Sequence, residues 1–481
     1  MRQTKIICTI GPVSSSYDML EKLANAGMNV ARLNMSHGEH DNCLQIIKAI
    51  RTLNKKRQHP VAVLIDTQGP EIRTGVLNSD LNLKSGDIVT VVARGEADVE
   101  TRSIFINYAD IITDVNIGDK ITVDNGLINL EVLSKEERAM RCRVLDGGIL
   151  KSRRHVNLPG IRVNLPAITE KDKRDIAFAM AHDVDFIALS FVRSAEDIRD
   201  LNQLLGSKAG KIKVIAKIED QEGLKNLDAI IQASDGVMVA RGDLGVEIPF
   251  EQLPRAQRHI IQRCAELGKR SIVATHMLES MIENPMPTRA EVTDVANAVY
   301  EEADAIMLSG ETTVGKYPVK CVEVLDRIAR ATEPGQGLRF SNHLESLTDK
   351  QGIAAAAVNL AAAINAHAIM VPTRRGLMAN LVTNCRPQKA VICAFTNDSR
   401  TRRQLVLNRN LLSYRINFSA DSEKTLATAA RILLKRKEFE EGDKVVIISD
   451  ALSRSGVEAI QIRQLGDLCR SSETEGDAGD V

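Results

Sequence analysis

The chain has 481 residues, of which 44% are hydrophobic, and its 63 basic residues balance its 63 acidic residues. A chain of this length is expected to fold as roughly two to four domains. Zero net charge argues against the broadly basic surface that binds nucleic acid or an anionic membrane, so an anionic substrate has to be attracted locally. The longest apolar run, residues 353–364, is too short to span a bilayer.

The cysteines and the N-terminus indicate a reducing compartment. The eight cysteines include no Cys-x-x-Cys pair and no Cys/His cluster with the spacing of a zinc site. The first residues, MRQTKIICTIGP, contain too short an apolar stretch for a signal peptide. We therefore expect a soluble, cytoplasmic protein with reduced, mostly buried thiols.

Short apolar runs rich in Val and Ile recur along the chain. They cover residues 4–12, 29–38, 61–70, 185–193, 213–220, 236–243, 271–277 and 305–312. Their continuous apolarity is typical of parallel strands that are covered on both faces. Amphipathic helical stretches such as 17–27 and 194–206 lie between most of them. Strands alternating with helices predict an α/β fold with a closed (β/α)8 TIM barrel, and the structural alternative is a doubly wound open sheet.

The alternation is interrupted between the third and fourth runs. The intervening segments are short, partly alternating and rich in turn residues, including Asp-Asn-Gly at 124–126, so they resemble hairpins. We predict a small all-β domain at 71–166, inserted between two parts of the barrel at 1–70 and 167–340. An insertion there lies over the C-terminal ends of the strands, and we interpret it as a mobile lid.

The end of the chain predicts a further domain and a tail. After a polar linker, helices and strands alternate again over 352–470, which indicates a C-terminal α/β domain. Residues 471–481 are acidic and lack large apolar groups except the final Val481, so we expect them to be disordered.

Polar and charged side chains collect where the predicted barrel strands end. They are Arg32, Asn34, Ser36, Asp66, Thr67, Lys217, Glu219, Arg241, Asp243, Thr275, Ser309 and Glu311. The C-terminal ends of parallel barrel strands converge on one mouth. Carboxylates, cations and hydroxyls are the groups that metal-assisted phosphoryl transfer needs. Each residue also has a purely structural interpretation, because strand exits are often polar.

The segment VIAKIED places Lys217 and Glu219 on one face of a strand, because residues two apart share a face. They form either a salt bridge at the strand exit or two sides of a ligand site. Glu219 and Asp243 are hard oxygen ligands that suit Mg²⁺ or Mn²⁺. The alternative is that each is paired with an arginine. The segment ARGDLGVEIP, residues 240–249, predicts a glycine-rich turn into a short helix whose N–H groups bind an anion.

The chain resembles the pyruvate kinases over about residues 1–335. The matching segments are TKIICTIGP, ARLNMSHG, DTQGPEIRTG, VNLPG, LPAITEKD, KIED, MVARGDLGVEIP, ATHMLESM, NPMPTRAEVTDVANAV and MLSGET. The resemblance implies a barrel with an inserted β lid and a C-terminal regulatory domain. It implies glycolytic phosphoryl transfer from phosphoenolpyruvate to ADP, giving pyruvate and ATP. It also implies Mg²⁺ or Mn²⁺ and K⁺ as cofactors, and a homotetramer.

The resemblance assigns roles to the residues of the mouth. Glu219 and Asp243 would hold the divalent ion. Lys217 would stabilise charge on the transferring phosphoryl group and on the enolate oxygen. Thr275 and the amides near Gly242 and Asp243 would bind the substrate carboxylate, and Thr275 would help to position the network that protonates the enolate.

The resemblance also implies phosphate, nucleotide and potassium sites. Arg32 would contact phosphates and act with Lys217 and Thr275 in catalysis. The residues that match the nucleotide site are Asn34, His37, Arg73 and Arg154, and those that match the potassium site are Asn34, Ser36, Asp66 and Thr67. Glu71 stands where an acid accompanies potassium dependence, since a lysine there would replace the charge of the ion. We therefore predict activation by K⁺.

Several positions depart from the family pattern. His276 replaces the usual Gln beside Thr275, and it is either inert or a source of pH sensitivity. Arg153, Arg154 and His155 stand where the family commonly has Lys-Lys-Gly. The arginines keep the charge, and the loss of glycine affects the hinge of the lid.

The loop that binds effectors in this family is also altered. In TRRGLMAN the candidate effector residues are Thr373, Arg374, Arg375 and Gly376, but hydroxyl positions that cradle a phosphate are missing. Either the arginines bind a different anion, with sugar phosphates and nucleotides as candidates, or this domain is structural.

Two other classes of protein compete with the kinase interpretation. Aldolases or mutases of phosphoenolpyruvate chemistry also use a metal-binding Glu and Asp, but they lack the inserted domain and the paired NMSHG and GPEIRTG segments. The second competing class is a pseudoenzyme that keeps the fold as a scaffold. Retention of Lys217, Glu219, Asp243 and Thr275 argues against it.

Overall fold

The structure is a computed structural model that describes residues 1–93, 103–161, 163, 165–345, 348–449 and 459–470. The predicted acidic tail, 471–481, lies outside these residues. Within the described ranges, no helix combines the length and the apolarity needed to cross a bilayer.

The first part of the barrel alternates strands and helices. The elements are β1 Lys5–Thr9, α1 Tyr17–Ala26, β2 Val30–Asn34, α2 His40–Lys56 and β3 Ala62–Asp66. Local sequence explains the bounds of α1. The Ser16 side chain accepts a hydrogen bond from the Met19 N–H at its start, and Gly27, with φ of 128°, ends it.

A β-rich insertion follows β3. Its elements are β4 Leu81–Leu83, β5 Ile88–Ala93, β6 Ser103–Ile106, α3 Ile111–Asp114, β7 Lys120–Val123, β8 Ile128–Lys135, β9 Ala139–Asp146, β10 Gly148–Leu150 and β11 Val156–Asn157. Six strands form a sheet in the order β11-β7-β8-β9-β5-β6, and β4 pairs with β10. The sheet has its own apolar core, which includes Val91, Leu130 and Val144. It is the lid-like domain that the sequence predicted.

The hairpin expectation is confirmed at one place in the lid and wrong at another. Asp124, Asn125 and Gly126 all have positive φ and join the antiparallel strands β7 and β8. By contrast, β6 pairs in parallel with β5. A parallel pair needs a long connection, and residues 94–102 between these strands exceed the length of a hairpin turn.

The second part of the barrel begins at α4. The elements are α4 Glu170–Ala181, β12 Phe186–Leu189, α5 Ala195–Leu205, β13 Lys213–Ile218, α6 Gln221–Lys225, α7 Leu227–Ala233, β14 Gly236–Ala240, α8 Arg241–Glu247, α9 Leu253–Glu266, β15 Arg270–Ala274, α10 Arg289–Tyr300, β16 Ala305–Leu308, α11 Gly310–Thr313 and α12 Pro318–Thr332. Short 3-10 helices lie at Gly206–Lys208, Phe250–Gln252, Glu279–Ile282 and Phe340–His343.

The barrel closes in the order β1-β16-β15-β14-β13-β12-β3-β2, with every neighbouring pair parallel. This confirms the closed barrel and excludes the open sheet. Alternate residues fill the interior, among them Leu64, Ile215 and Met238. Because Ile215 points inward, Lys217 and Glu219, two and four residues further on, also face the barrel axis at its mouth.

The C-terminal domain is a separate α/β sandwich. Its elements are α13 Asp349–Ala363, β17 Ala368–Pro372, α14 Leu377–Asn384, β18 Val391–Thr396, α15 Ser399–Gln404, β19 Leu411–Arg415, α16 Ser422–Lys435, β20 Lys444–Ile448, β21 Ile460–Gln464 and α17 Leu465–Arg470, with a 3-10 helix at Leu405–Leu407. The strand order is β19-β18-β17-β20-β21, with β21 antiparallel to β20. Apolar clusters cover both faces of the sheet.

The C-terminal domain packs against the N-terminal ends of the barrel strands. Asp304, just before β16, accepts two hydrogen bonds from Arg386, with lengths of 2.6 and 2.8 Å. Asp185, just before β12, is 2.7 Å from Arg403. The opposite end of the barrel, where the strands finish, is therefore left to the lid.

Candidate active site

Lys217 lies at the centre of the mouth on the interior face of β13. Its Nζ is 3.2 Å from Asp66 Oδ1, 3.0 Å from Glu219 Oε1 and 2.7 Å from Ser190 Oγ. Burial opposes its charge, but Asp66 and Glu219 outweigh burial and raise the pKa of Lys217. The lysine is a buried, permanent cation. Lys217 therefore forms the predicted ion pair with Glu219, and it also faces the mouth of the barrel.

Asp66, at the end of β3, joins the lysine to a second cation. Its Oδ2 accepts a 2.6 Å hydrogen bond from Arg32 Nε, and Arg32 Nη1 donates to Thr9 Oγ1 at 2.9 Å. Burial alone would raise the pKa of Asp66, but Lys217 and Arg32 lower it below its usual value. An ionised Asp66 therefore holds two cations beside one another at the mouth.

Glu219 and Asp243 supply the carboxylates predicted to bind a metal. Glu219 Oε2 accepts a 2.6 Å hydrogen bond from the Phe191 N–H. Burial is the main cause that raises the pKa of Glu219 to about 7; Lys217 lowers it and the nearby negative charge of Asp243 raises it further. Asp243 lies in the first turn of α8, 3.5 Å from His155 Nδ1 of the lid.

The two carboxylates fit a divalent cation. They are hard oxygen donors, and a bound cation would offset both the burial of Glu219 and the repulsion from Asp243 that together raise the pKa of Glu219. The described residues contain no cluster of three or more His, Cys, Asp or Glu side chains arranged to hold a metal. The remaining ligands of a six-coordinate ion would come from substrate and water, as is common for Mg²⁺.

Gly242 and Thr275 lie side by side at the ends of β14 and β15. A Cβ on Gly242 would come within 3.7 Å of Thr275 Oγ1. Thr275 has a left-handed φ of 66°, and its Oγ1 donates a 2.6 Å hydrogen bond to the Ala274 carbonyl. The open first turn of α8 and this hydroxyl form one polar edge of the mouth.

Two members of the strand-end set have structural roles. Arg241 is buried, donates from Nε to the Thr275 carbonyl at 3.1 Å and pairs through Nη1 with Asp294 at 2.8 Å. Glu311 is buried and accepts hydrogen bonds from the N–H groups of Leu278 and Ser309. These side chains shape the mouth without facing its centre.

The residues that match a potassium site lie together on neighbouring strand ends. Asn34 of β2 is in register with Asp66 of β3, and Asn34 Oδ1 accepts from the Ser36 N–H at 3.2 Å. Thr67 is buried, and its Oγ1 accepts from the Ser190 N–H at 3.1 Å. Amide, hydroxyl and carboxylate oxygens here are the donors that an alkali cation prefers.

Ser190 is a site residue that the sequence analysis missed. It follows β12, and its Oγ accepts from Lys217 Nζ and donates to the Thr67 carbonyl at 2.7 Å. Its position at the end of the fourth apolar run was an available signal, since the other candidates were chosen by the same criterion. The same criterion selected other uncharged strand-end residues such as Ser36 and Thr275, so it could have found Ser190.

The residues proposed to bind the nucleotide lie on the lid and on the loop after β2. Arg73 is 2.7 Å from Glu71, and its Nη1 donates to the Arg153 carbonyl at 3.1 Å. Arg154 is 3.5 Å from Asp124 within the lid. His37 is exposed on the loop after β2. Arg73 and Arg154 lie on adjacent segments of the lid, because the Thr74 N–H donates to the Arg154 carbonyl at 2.8 Å.

Comparison with known protein families identifies the family of this chain. The profile described as "Pyruvate kinase, barrel domain" matches residues 1–322, and the one described as "Pyruvate kinase, alpha/beta domain" matches residues 351–459. The chain belongs to the pyruvate kinase family. The two matches cover the barrel with its insertion and most of the C-terminal domain.

Individual pyruvate kinases align with nearly the full chain. A pyruvate kinase of Geobacillus stearothermophilus is 44% identical over 460 residues, covering 93% of this chain and 77% of the relative. A pyruvate kinase of Bacillus licheniformis is 41% identical over 489 residues, covering 99% and 83%. Pyruvate kinase isozyme G, chloroplastic, of Nicotiana tabacum is 42% identical over 479 residues, covering 96% and 84%.

The positions that depart from the pyruvate kinase pattern can now be located. His276 is exposed beside Thr275 and shares its left-handed backbone, with φ of 54°, so it is not a packing residue. Arg153 also has a left-handed φ, 57°, in the loop between β10 and β11 of the lid. His155 forms a bridge with Arg73 and reaches Asp243.

The altered effector loop lies at the end of β17, in the domain packed against the far end of the barrel. The Thr373 hydroxyl accepts a 3.0 Å hydrogen bond from the Gly376 N–H, and Gly376 has φ of 82°. Arg374 lies over the Phe418 ring at 5.3 Å, and Arg375 is exposed. The one remaining hydroxyl is therefore engaged within the loop.

Proposed function

We propose that this member of the pyruvate kinase family transfers the phosphoryl group of phosphoenolpyruvate to ADP in glycolysis. The observation that carries the proposal is the buried network in which Lys217 contacts Asp66, Glu219 and Ser190, with Arg32 on the same aspartate. In this network two cations lie close to the carboxylates that we propose as metal ligands, all at the mouth of the barrel. The P–O bond of phosphoenolpyruvate breaks, a bond to a terminal ADP oxygen forms, and the enolate left behind takes a proton on carbon.

Each residue has a physical task in this reaction. Lys217 is a fixed cation in a water-poor site, so it stabilises charge on the phosphoryl group and on the enolate oxygen without reorganising. Arg32 adds a second cation for a phosphate oxygen. The N–H groups of Gly242 and Asp243, with the Thr275 hydroxyl, orient the substrate carboxylate.

Ions complete the proposed site. Glu219 and Asp243 would hold Mg²⁺ or Mn²⁺, which neutralises charge on the phosphoryl oxygens when bound. Asn34, Ser36, Asp66 and Thr67 would hold K⁺. We assign the nucleotide to the side of the mouth that carries Asn34, His37, Arg73 and Arg154.

We also propose a homotetramer with an effector site at Thr373, Arg374, Arg375 and Gly376. The exposed apolar side chains Phe250, Met286 and Val314 on the barrel support assembly. The exposed arginines support binding of an anionic sugar phosphate or nucleotide, in a mode without the usual hydroxyl cradle. Phosphoenolpyruvate saturation curves with and without sugar phosphates or AMP test the effector site, and sedimentation tests the assembly.

The catalytic assignment is tested with two lysines of one strand. Lys217→Met is expected to lower kcat by about a hundredfold or more, the usual effect of removing a group that stabilises transition-state charge. Lys213→Met is the matched control, because Lys213 begins the same strand at the far end of the barrel, paired with Asp235 at 3.0 Å. Pyruvate formation is measured with ADP, Mg²⁺ and K⁺. Wild-type turnover at the background rate would leave the scaffold interpretation, and equal turnover of wild type and Lys217→Met above background would overturn the role of Lys217.

A further inference from the structure

The lid contacts two residues of α8, the helix that carries Gly242 and Asp243. Asn157 of β11 donates from Nδ2 to Glu247 Oε1 at 3.0 Å, and the Leu158 N–H also bonds this carboxyl group. His155, two residues earlier, is 3.5 Å from Asp243. Because β11 pairs with β7 in the lid sheet, the contact at Glu247 joins the lid to the helix of the active site.

The pair between Asn157 and Glu247 has an unmatched oxygen. Asn157 is only 4% exposed, and its Oδ1 has no hydrogen-bond partner among the described residues. A buried amide oxygen without a donor is costly. An ionised carboxylate offers no donor, whereas a protonated one does. A neutral Glu247 would supply the missing donor: one of its oxygens accepts from Asn157 Nδ2, and its O–H is then available to Asn157 Oδ1.

The surroundings of Glu247 also disfavour its charge. Burial raises the pKa of Glu247 to about 7, the hydrogen bond from Asn157 opposes this, and the negative charges of Asp220 and Asp243 add to it. The other titratable or charged groups that line the adjoining cavity of about 650 Å³ are His155, Arg193, Glu222 and Lys225. Arg193 is engaged with the carbonyls of Val163 and Leu165, so its charge is directed at the return segment of the lid.

We propose that Glu247 is a positioning residue that latches the lid, through a carboxylic acid–amide pair with Asn157 made only when the lid is closed. The latch ties the lid strand to the C-terminal end of α8, and it thereby fixes the first turn of the same helix against the substrate. Opening the lid exposes Glu247 to water and lets it ionise. The role in substrate positioning rests on the proposed function, whereas the latch itself does not.

The sign of the pH dependence follows from this geometry. The carboxyl pKa is higher when the lid is closed than in water, so the latch is fully present below the ordinary value of about 4.3. It is lost as the pH rises through the closed-state value of about 7. Between these two pH values the equilibrium constant for latching falls by about tenfold for each pH unit, and above about 7 it falls no further.

Glu247→Gln is the matched variant. A glutamine keeps both hydrogen bonds to Asn157 and cannot titrate. Hydrogen exchange of peptides within 153–161 is followed in the full-length protein at pH 4.5 to 8, with wild type and variant compared at each pH so that intrinsic exchange cancels. The two are expected to agree near pH 4.5. The ratio of wild-type to variant exchange is then expected to grow about tenfold for each pH unit up to about 7 and to stay constant above it. Glu247→Leu is expected to exchange faster than Glu247→Gln at every pH.

Two results would overturn the latch. Wild type and Glu247→Gln could show the same exchange throughout, in which case Glu247 does not titrate in this range. Alternatively, Glu247→Gln could exchange as fast as Glu247→Leu at pH 6, which would mean that the ionised carboxylate is what Asn157 needs. If Glu247→Leu does not fold, the first comparison decides alone. A rise in the KM for phosphoenolpyruvate between about pH 5 and 7 in wild type but not in Glu247→Gln is the second expected readout. Exchange decides the latch even if the protein lacks kinase activity.

Discussion

At the mouth, one buried side chain contacts several functional residues. Asp66 is fully buried and contacts both Lys217 and Arg32, so one carboxylate sets the position of two cations. A buried carboxylate of this kind is stable only because it is paired on both sides. Both cations face the mouth from fixed positions, which is the arrangement that favours an anionic substrate over a neutral one.

The potassium prediction belongs to this scale. Glu71 lies beside the proposed ion site and is bonded to Arg73 and Gln68. Glu71→Lys is expected to make kcat largely independent of K⁺, because a fixed ammonium replaces the charge of the ion. Turnover is measured across K⁺ concentrations at constant ionic strength. The control is Glu71→Gln, which removes a charge without adding one and should still need K⁺. Wild-type turnover that is equal with and without K⁺ would contradict the prediction.

Loops at the strand ends are held by neighbouring elements. At the start of α4, Thr169 and Asp172 form a capping box, and Asp172 Oδ1 also accepts from the N–H groups of Gln68 and Gly69 at 3.0 and 3.1 Å. The loop after β3 is thus fastened to a helix of the second barrel part. The same loop touches Ser190 and Phe191, which contact Lys217 and Glu219.

A substitution at Gly69 tests whether the loop after β3 holds Ser190 and Phe191 in place. It has φ of 72°, and a Cβ there would lie 2.8 Å from the Phe191 ring and 2.9 Å from Ser190 Cβ. Gly69→Ala is expected to lower stability by about 1–3 kcal/mol and to lower kcat, because Ser190 and Phe191 must move. Gly86→Ala is the matched control, since Gly86 has φ of 89° with nothing within 4 Å of the added Cβ. Urea unfolding and turnover are measured for both, and equal losses of kcat would contradict the argument.

At the scale of the whole molecule, the C-terminal domain is fastened to the barrel by buried ion pairs. Asp304 is fully buried and lies between Arg386 of that domain and Arg270 of β15, at 2.6 and 3.3 Å. Burial alone would raise the pKa of Asp304, but the two arginines hold it well below its usual value. This pairing fastens the C-terminal domain to the far end of the barrel.

Asp304→Asn is therefore expected to destabilise the protein by about 3–5 kcal/mol at pH 7, because it leaves buried arginine charge unpaired. The contribution of a carboxylate with a depressed pKa is present above its ordinary value of about 3.9 and disappears as the pH falls through the folded value. The difference between wild type and variant should thus be constant from neutral pH to about 5 and shrink only below about 4. Glu196→Gln, which breaks the exposed pair with Arg199, should cost under about 1 kcal/mol. Equal urea midpoints for the two variants at pH 7 would contradict the prediction.

Local patterns in the sequence were sufficient for the architecture. Continuous apolar runs predicted the barrel strands, because a strand covered on both faces buries every side chain. The spacing of Lys217 and Glu219 predicted a shared face, because successive strand residues alternate. The hairpin at 124–126 followed from its turn residues. These features depend on neighbours a few positions apart, and the sequence displays such neighbours directly.

Contacts between distant segments were decided only by the tertiary structure. Closure places β12 beside β3, and this brings Ser190 to Thr67 and Lys217 to Asp66. Arg154 turns to Asp124 within the lid, and Asn157 meets Glu247 on α8. Apolar pattern fixes which face of an element is buried, but it does not specify which polar side chain from another element lies opposite. For this protein the sequence determined the secondary-structure elements and the polar residues at the mouth. The folded barrel and lid determined which of those residues contact one another, because such contacts join segments that are far apart in the sequence.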